Sequence, residues 1–455
     1  MTGRRCAVVG GGLAGITAAL ALADAGKQVT LFEARGHLGG RVSSVKHPRL
    51  GIEIDNCQHA AFRVYERFFQ LIARAEAHDI IKIQAKTKLP FAFPKKTAGK
   101  VSILTTGKLS PPNHMLGSML KFPFLSLGDK IAMRSAVKAF TKLNDQSQWD
   151  FDDISFEQWL VSKGQTKRAI ERFFGFFTLA ALNIDIKEAS AAQGIMLFRH
   201  GLFGSADAFD VSAFTSDLGK AMQGPFTKAL KKAGVAIILN KSIKTFDELD
   251  KFDDIIIALP PHLATRLTGM ENSLEYRSLI GIHAFYSGNR VPSEFDFAAL
   301  VDEPLIQMIF NRSNELDEPI LKDLQWISVP ISAADEFLKM SDEEMLVELD
   351  RVLDQMFPQN SSVKRIDYLI IKTPKATFAP IVGSAKQRPK VDAMGDHVAL
   401  AGAHTMTGWP STMEGAVRSG LQAAAHILGE DYHHDSAWKT WPSPPKRGDK
   451  AWRVW

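Results

Sequence analysis

The chain has 455 residues, too many for one ordinary hydrophobic core, so two or three domains are expected. Apolar residues make up 45% and charged residues 23%, the balance of a globular protein, which excludes a disordered or fibrous chain. A net charge of +5 requires no nucleic-acid partner, though it suits an anionic membrane surface. Two cysteines, Cys6 and Cys57, cannot form a disulfide framework, and Cys6 falls in a predicted buried strand, which fits a reducing compartment. Arg4 and Arg5 precede an apolar run that glycines break, so that stretch reads as strand, turn and helix rather than a targeting segment. No run reaches about 18 apolar residues, and no transmembrane helix is predicted.

In chain order, Cys6 to Val9 reads as a buried parallel strand, and Gly10, Gly12 and Gly15 then occupy the three positions of GxGxxG. The first permits a tight turn, the second lets a diphosphate approach the backbone, and the third packs a helix close to the strand. That helix runs over 14–25, with Leu13 and Ala14 at its start, and Gly26 ends it. A second strand, Gln28 to Phe32, leads into Glu33, placed where a carboxylate accepts hydrogen bonds from ribose hydroxyls, with Ala34 and Arg35 beside it. Glu33 disfavours a bound 2′-phosphate, so FAD or NAD is expected rather than NADP. His37-Leu38-Gly39-Gly40-Arg41 follows: Gly39 and Gly40 offer bare backbone to an anion, and Arg41 a guanidinium to neutralise it.

A strand-like piece then ends in Ile54-Asp55-Asn56-Cys57-Gln58-His59, and 60–75 carries helical periodicity. Residues 80–110 read as alternating strand and turn, and 113–143 as helical. Within them the apolar stretch Met115 to Leu127 is either core or, with Lys121, Lys130 and Arg134 beside it, a membrane-facing opening for a lipid. A helical block over 154–200 opens at Ser155 and breaks at Gly164; 204–216 is small and polar, and 218–232 is a helix. Short β-rich runs at 235–239 and 254–258 are expected to return to the nucleotide sheet. Over 274–380 the β-rich runs 280–286, 305–310, 324–329 and 366–372 surround a helix at 342–357. The chain comes back to the cofactor at 396–428, as a strand (398–401), a loop (402–410) and a helix (413–428) whose start offers N–H groups and a positive dipole end to a flavin.

The fold expected is α/β: a discontinuous Rossmann-type FAD-binding domain (1–75, 205–270 and 386–430) and an α+β substrate domain of sheet plus helices (76–204 and 271–385). A tail (431–455) completes it. Half of the eight tryptophans lie there (Trp438, Trp441, Trp452, Trp455), among prolines and basic residues that argue against a packed element. The tail is read as either a surface segment or a membrane-interface anchor.

Several stretches resemble one family. HLGGR resembles the second motif of FAD-binding amine oxidases and carotenoid desaturases. IDNCQH (54–59), LAALNIDIKEASAAQ (179–193) and TGWPSTMEGAVRSG (407–420) together resemble the squalene-associated FAD-dependent desaturases, best known as hydroxysqualene dehydroxylases, over roughly residues 5–428. That resemblance implies FAD held also by Gly402, Trp409, Thr412, Met413, Glu414 and Ala416. It implies removal of an allylic hydroxyl from a thirty-carbon isoprenoid, recycling of the flavin by an external reductant (NAD(P)H or a reductase), and a cytoplasmic location, peripheral on the inner face of the membrane. His59 is the candidate proton donor, with Asn56 and Gln58 orienting substrate or flavin. Phe173, Phe174, Phe176, Phe177, Leu179 and Leu182 are candidate tunnel walls. No metal site is predicted. Carotenoid-type desaturation, with electron flow reversed, and a non-catalytic paralogue that binds isoprenoid or a partner remain as alternatives. Two departures stand out: Cys57 replaces a glycine, and Gly402-Ala403-His404 replaces Gly-Asp-Trp. Loss of that aspartate removes one charge-assisted hydrogen bond, roughly 1.5–3 kcal/mol of affinity.

Overall fold

The structure is a computed structural model that describes residues 4–97, 100–316, 324–433 and 437–455. Residues 98–99 of the predicted strand-and-turn region and 434–436 of the tail lie outside the described residues.

The short apolar runs assemble into a five-stranded, wholly parallel sheet in the order Ala236–Ile238, Gln28–Phe32, Arg5–Val9, Asp254–Ile257, Val398–Leu400. Widely separated parts of the chain supply these strands, so the nucleotide domain is discontinuous. Side chains alternate across the sheet as the pleat requires. Cys6 and Val8 pack under the helices Leu13–Asp24 and Met413–Leu428, whereas Ala7 and Val9 face Leu249, Leu267 and Leu400 on the other side. Burial on both faces explains why these strands read as continuous apolar runs rather than alternating ones.

A second, seven-stranded sheet has the order Arg365–Phe378, Tyr276–Tyr286, Gln325–Ser332, Met308–Asn311, Phe297–Leu300, Lys88–Ala92, Val101–Thr105. Helix Asp342–Met356, opened by a capping box between Ser341 and Glu344, covers one face with Met345, Leu349 and Val352. The helical block covers the other, where Phe91, Phe297 and Phe310 meet Phe122, Phe173 and Phe177. Those phenylalanines, candidate tunnel walls on sequence, form the core of this block: Phe173 and Phe174 are fully buried and in edge-on contact at 5.4 Å.

Three expectations change. The periodic stretch 60–75 is helical only from Glu66 to Arg74; Ala60–Phe62 is a strand, paired with Val211–Phe214 inside the segment read as merely small and polar. The helix starts late because 60–62 are taken up in strand pairing, and its opening amides are then capped from afar: Arg67 and Phe68 N–H donate to Glu414. The apolar stretch 115–127 divides, with Met115, Phe122, Phe124 and Leu125 inward and Leu116, Leu120 and Leu127 outward.

The tail is the third. It is a packed element, not a loose anchor. Arg453–Val454 adds a parallel strand to Ile81–Ile83. Trp438, Trp441 and Trp452 are buried in the nucleotide-domain core, Trp441 Nε1 donates to Asp24 at 2.8 Å, and Trp452 stands edge-on to Phe69. The basic residues that suggested a membrane interface include Arg447, which pairs with fully buried Asp210. Trp438→Ala should therefore lower stability by about 3–5 kcal/mol in urea unfolding, as for a large core side chain. An unchanged midpoint would mean that the tail does not pack.

Candidate functional site

Backbone meets backbone at the glycine turn. Gly10 adopts φ +113°, and a Cβ there would lie 2.4 Å from the Ala258 carbonyl oxygen. A Cβ on Gly15 would lie 1.8 Å from Gly10 O, so the helix sits directly on the turn. Gly12 differs. A Cβ there meets nothing nearer than the Gly40 Cα at 3.8 Å, which leaves its outer face open to a ligand. Leu13 and Ala14, both buried, begin the helix immediately after it.

The second motif closes on the first. Gly39 N–H donates to Gly11 O at 2.9 Å, and Gly39 (φ +115°) and Gly40 (φ +62°) hold conformations that favour glycine. Glu33 accepts from Gly11 N–H at 2.7 Å through one oxygen and from Arg35 N–H at 2.8 Å through the other, fixing the carboxylate beside the turn. Ala34 and the Arg35 side chain are exposed at the same mouth. Arg41 is exposed, and desolvation by the surrounding protein makes its guanidinium less basic than usual. Its Nη1 donates to Ala376 O at 2.8 Å and to Ser411 Oγ at 3.4 Å, joining the glycine motif to the large sheet and the C-terminal loop. No carboxylate pairs with it among the described residues. A bare-glycine cradle, a fixed acid and an arginine without a counter-ion fit an adenine dinucleotide whose diphosphate lies against Gly12 and Arg41.

The last helix packs closely along the first. A Cβ on Gly420 would lie 2.3 Å from Ala14 O. Thr412 caps this helix by accepting from Gly415 N–H, Met413 is buried, and Ala416 lies half-buried in the first turn. Glu414 has a different task from cofactor contact: wholly buried, it accepts from Arg67 and Phe68 N–H and from Arg418 Nε at 2.6 Å. Arg418 in turn stacks over Trp409, 4.7 Å from the ring centre.

The unusual Gly-Ala-His segment is also explained. Gly402 adopts φ +140°, and a Cβ there would lie 2.5 Å from His404 Nδ1, so the imidazole folds back over bare backbone. Where the family's aspartate would stand, Ala403 is buried, and its carbonyl accepts from Arg388 Nη2 at 3.1 Å. Buried Arg388 also donates to the carbonyls of His404 and Thr405 and to Thr407 Oγ1, holding the whole loop by main-chain contacts. Its only sequence signal was an isolated Arg-Pro pair ahead of the last strand.

The predicted catalytic trio sits on the domain junction. Asp55 accepts from Arg312 Nη2 at 2.8 Å and from Leu218 N–H at 2.8 Å, and Arg312 also pairs with Glu315, all of them buried. Asn56 Nδ2 donates to Arg41 O at 2.8 Å and so shapes the arginine's backbone. Gln58 Nε2 reaches Glu315 at 3.4 Å. His59 Nδ1 lies 2.9 Å from the Cys57 carbonyl, which fixes the proton on that nitrogen. Burial, helped by Arg41 and Arg312, pushes its imidazole below the usual range, so at neutral pH His59 is a neutral group rather than a ready acid.

Beside Thr412 a small pocket of about 30 Å³ opens, lined by Phe62, Leu182, Met196, Phe209 and Trp409, with Tyr65 and His200 as further polar groups. Sequence reasoning passed over His200, which has no motif around it. Burial and the guanidiniums of Arg199 and Arg418 push its imidazole down to about 4, and burial keeps the Tyr65 hydroxyl protonated.

Two outcomes check this site. Gly12→Val, whose Cβ has room at an ordinary φ of −77°, should leave apo-protein stability near wild type while weakening FAD binding by at least about tenfold in equilibrium titration. Equal affinity would place the diphosphate elsewhere. In addition, His200 (about 4), His283 and His404 (each about 3) are held neutral by burial, so between about pH 6.5 and 4 the unfolded chain binds more protons than the fold. Stability should fall as pH falls through that window, read as a declining thermal midpoint, and His283→Gln should flatten the slope.

The profile of flavin containing amine oxidoreductases matches residues 13–209 and 234–428. Hydroxysqualene dehydroxylase of Sinorhizobium fredii is 26% identical, covering 93% of this chain and 98% of its own. Zeta-carotene desaturase of Zea mays is 23% identical over 93% of this chain and 83% of its own. Among solved structures, putrescine oxidase bound to putrescine superposes with a TM-score of 0.67 at 18% identity, covering 94% of this chain and 99% of that one. An oxidoreductase from Methanosarcina mazei gives 0.68 at 14% identity, covering 92% and 99%. The family profile covers most of the chain, including the second glycine motif at 39–41 and the helix Met413–Leu428, and the chain accordingly belongs to the flavin containing amine oxidoreductases, with FAD as its cofactor.

Proposed function

We propose that this flavoprotein oxidoreductase acts on a long, uncharged isoprenoid, by reductive dehydroxylation of hydroxysqualene to squalene. The observation that carries the reading is the cavity wall. None of its lining residues is acidic; the carboxylate in contact with one of them, Asp145 at 2.9 Å from His200 Nε2, lies outside the wall and is already paired with Arg199. A protonated amine would find no carboxylate in the wall itself, and the Trp409 ring that could hold it through its face already carries Arg418. A hydrocarbon meets Phe62, Leu182, Met196 and Phe209 at no such cost.

When bound and reduced by an external donor such as NAD(P)H or a reductase, FAD would be the source of hydride for the allylic carbon that loses its hydroxyl. The chain's own residues manage the oxygen. Tyr65, His200 and Thr412 are polar groups that converge on an otherwise apolar wall and can hold one hydroxyl. The departing oxygen must take a proton to leave as water. His200 lines the cavity, with its Nε2 held 2.9 Å from Asp145, whereas His59 Nδ1 lies against the Cys57 carbonyl, and on that ground the donor role is assigned to His200 in place of His59. Its low basicity makes its protonated form a strong but scarce acid at pH 7.

Anaerobic incubation of the reduced holoprotein with hydroxysqualene should yield squalene, faster as pH falls from 7 toward 5. His200→Ala should lower kcat by about 10²-fold, the usual worth of a positioned acid, with FAD still bound. Conversion of phytoene without any squalene would transfer the reading to desaturation. Oxidation of a diamine such as putrescine would contradict the cavity argument, and a holoprotein that turns over none of these would stand as a binding paralogue.

A further inference from the structure

The net positive charge of the molecule is concentrated in one place. Residues 100–142 hold seven lysines and arginines (Lys100, Lys108, Lys121, Lys130, Arg134, Lys138 and Lys142) against one acid, a net +6 where the whole chain carries +5. That acid, Asp129, is buried and turned inward: it closes the capping box of helix Leu127–Phe140 with Ser126 and accepts from Thr166 Oγ1.

The same segment exposes aliphatic side chains that a water-facing helix has no use for. Leu120 is 54% exposed, Leu127 67% and Ile131 53%, with Leu116 beside Leu120 one turn earlier. Leu127, Ile131, Arg134 and Lys138 follow one another on the outer face of their helix, while Met133, Ala136 and Phe140 take the inner face. Lys130 Nζ donates to Leu120 O at 2.9 Å, which brings the outer faces of helices Leu116–Lys121 and Leu127–Phe140 together. Grouped exposed aliphatics on a soluble surface mark an interaction site, and an aliphatic patch ringed by uncompensated lysine and arginine fits the interface of an anionic bilayer. A protein partner of ordinary composition would meet a strong one-sided field here, whereas anionic headgroups supply the missing charge.

From this charge and exposure we infer that the outer face of helices 116–121 and 127–140 seats on anionic lipid, with Leu116, Leu120, Leu127 and Ile131 entering the headgroup boundary and Lys121, Arg134 and Lys138 pairing with phosphates. No helix among the described residues is long and apolar enough to cross a membrane, so the contact is interfacial. It stands apart from the Trp-rich tail, whose tryptophans are buried.

Co-sedimentation of the full-length holoprotein with phosphatidylcholine–phosphatidylglycerol vesicles tests this. Binding should require phosphatidylglycerol and fall steeply with salt. A Leu120→Ser, Leu127→Ser, Ile131→Ser triple variant should lose it. Lys121→Glu, Arg134→Glu, Lys138→Glu should weaken it by about fivefold or more for each charge removed. The charge-reversal variant alters no packing and stays informative should the aliphatic one fold poorly. Absence of wild-type binding to anionic vesicles, equal binding to pure phosphatidylcholine, or undiminished binding by both variants would overturn the assignment. So would concentration-dependent self-association, abolished by the aliphatic variant, without any vesicle binding. Vesicle binding is read without turnover, so its failure leaves the proposed reaction untouched.

Discussion

Two crossings of bare backbone hold the cofactor cleft in shape. A Cβ on Gly40 would lie 3.0 Å from the Gly12 Cα, and one on Gly420 2.3 Å from Ala14 O. The crossings are steric rather than electrostatic, so they tolerate little variation: a Cβ on Gly15 or Gly420 would fall within bonding range of a carbonyl oxygen, and something would have to move. Through them the ends of a long chain, the turn at residue 10 and the helix at residue 413, become two walls of one cleft. The parallel sheet supports this arrangement because its last strand, Val398–Leu400, delivers the chain back beside Asp254–Ile257.

Arginines then tie the remaining segments to that frame. Arg41 joins the second glycine motif to Ala376 and Ser411, Arg312 joins the large sheet to Asp55, and Arg388 gathers the loop after the last strand. A guanidinium suits this because its rigid fork of donors satisfies several acceptors at once. Arg312 has two carboxylates, as a buried charge requires. Arg41 and Arg388 have none among the described residues; Arg41 is exposed and free to meet an anion, and Arg388 is satisfied by carbonyls. The loss of the family's aspartate at Ala403 is thereby set in a loop whose geometry is held by Arg388 rather than by a carboxylate.

Local pattern was enough for the elements whose residues contact near neighbours. Gln28–Phe32, Leu218–Lys232 and Met413–Leu428 have the bounds their periodicity predicts. What was hidden depends on distant partners. The helix expected from Ala60 begins at Glu66 because 60–62 pair with Val211–Phe214 and Glu414 caps its opening amides, and no window of sequence around residue 60 contains either partner. Composition misled at the tail: Trp438 and Trp441 look interfacial beside proline and lysine, but Asp24 and the first helix supply a buried seat for them. Asn56 and Gln58 were visible as a motif, yet their amides serve Arg41 and Glu315 at the junction. His200 and Arg388, in contrast, carry no local signature, since their significance comes only from what the fold places around them.

The account rests on a cleft that both ends of the chain must build, and the most direct measurement is the stoichiometry of flavin released by acid from the purified, reconstituted protein. One FAD per folded chain is expected. A well-folded, monodisperse protein that retains no flavin after exposure to excess FAD would contradict the account at its root.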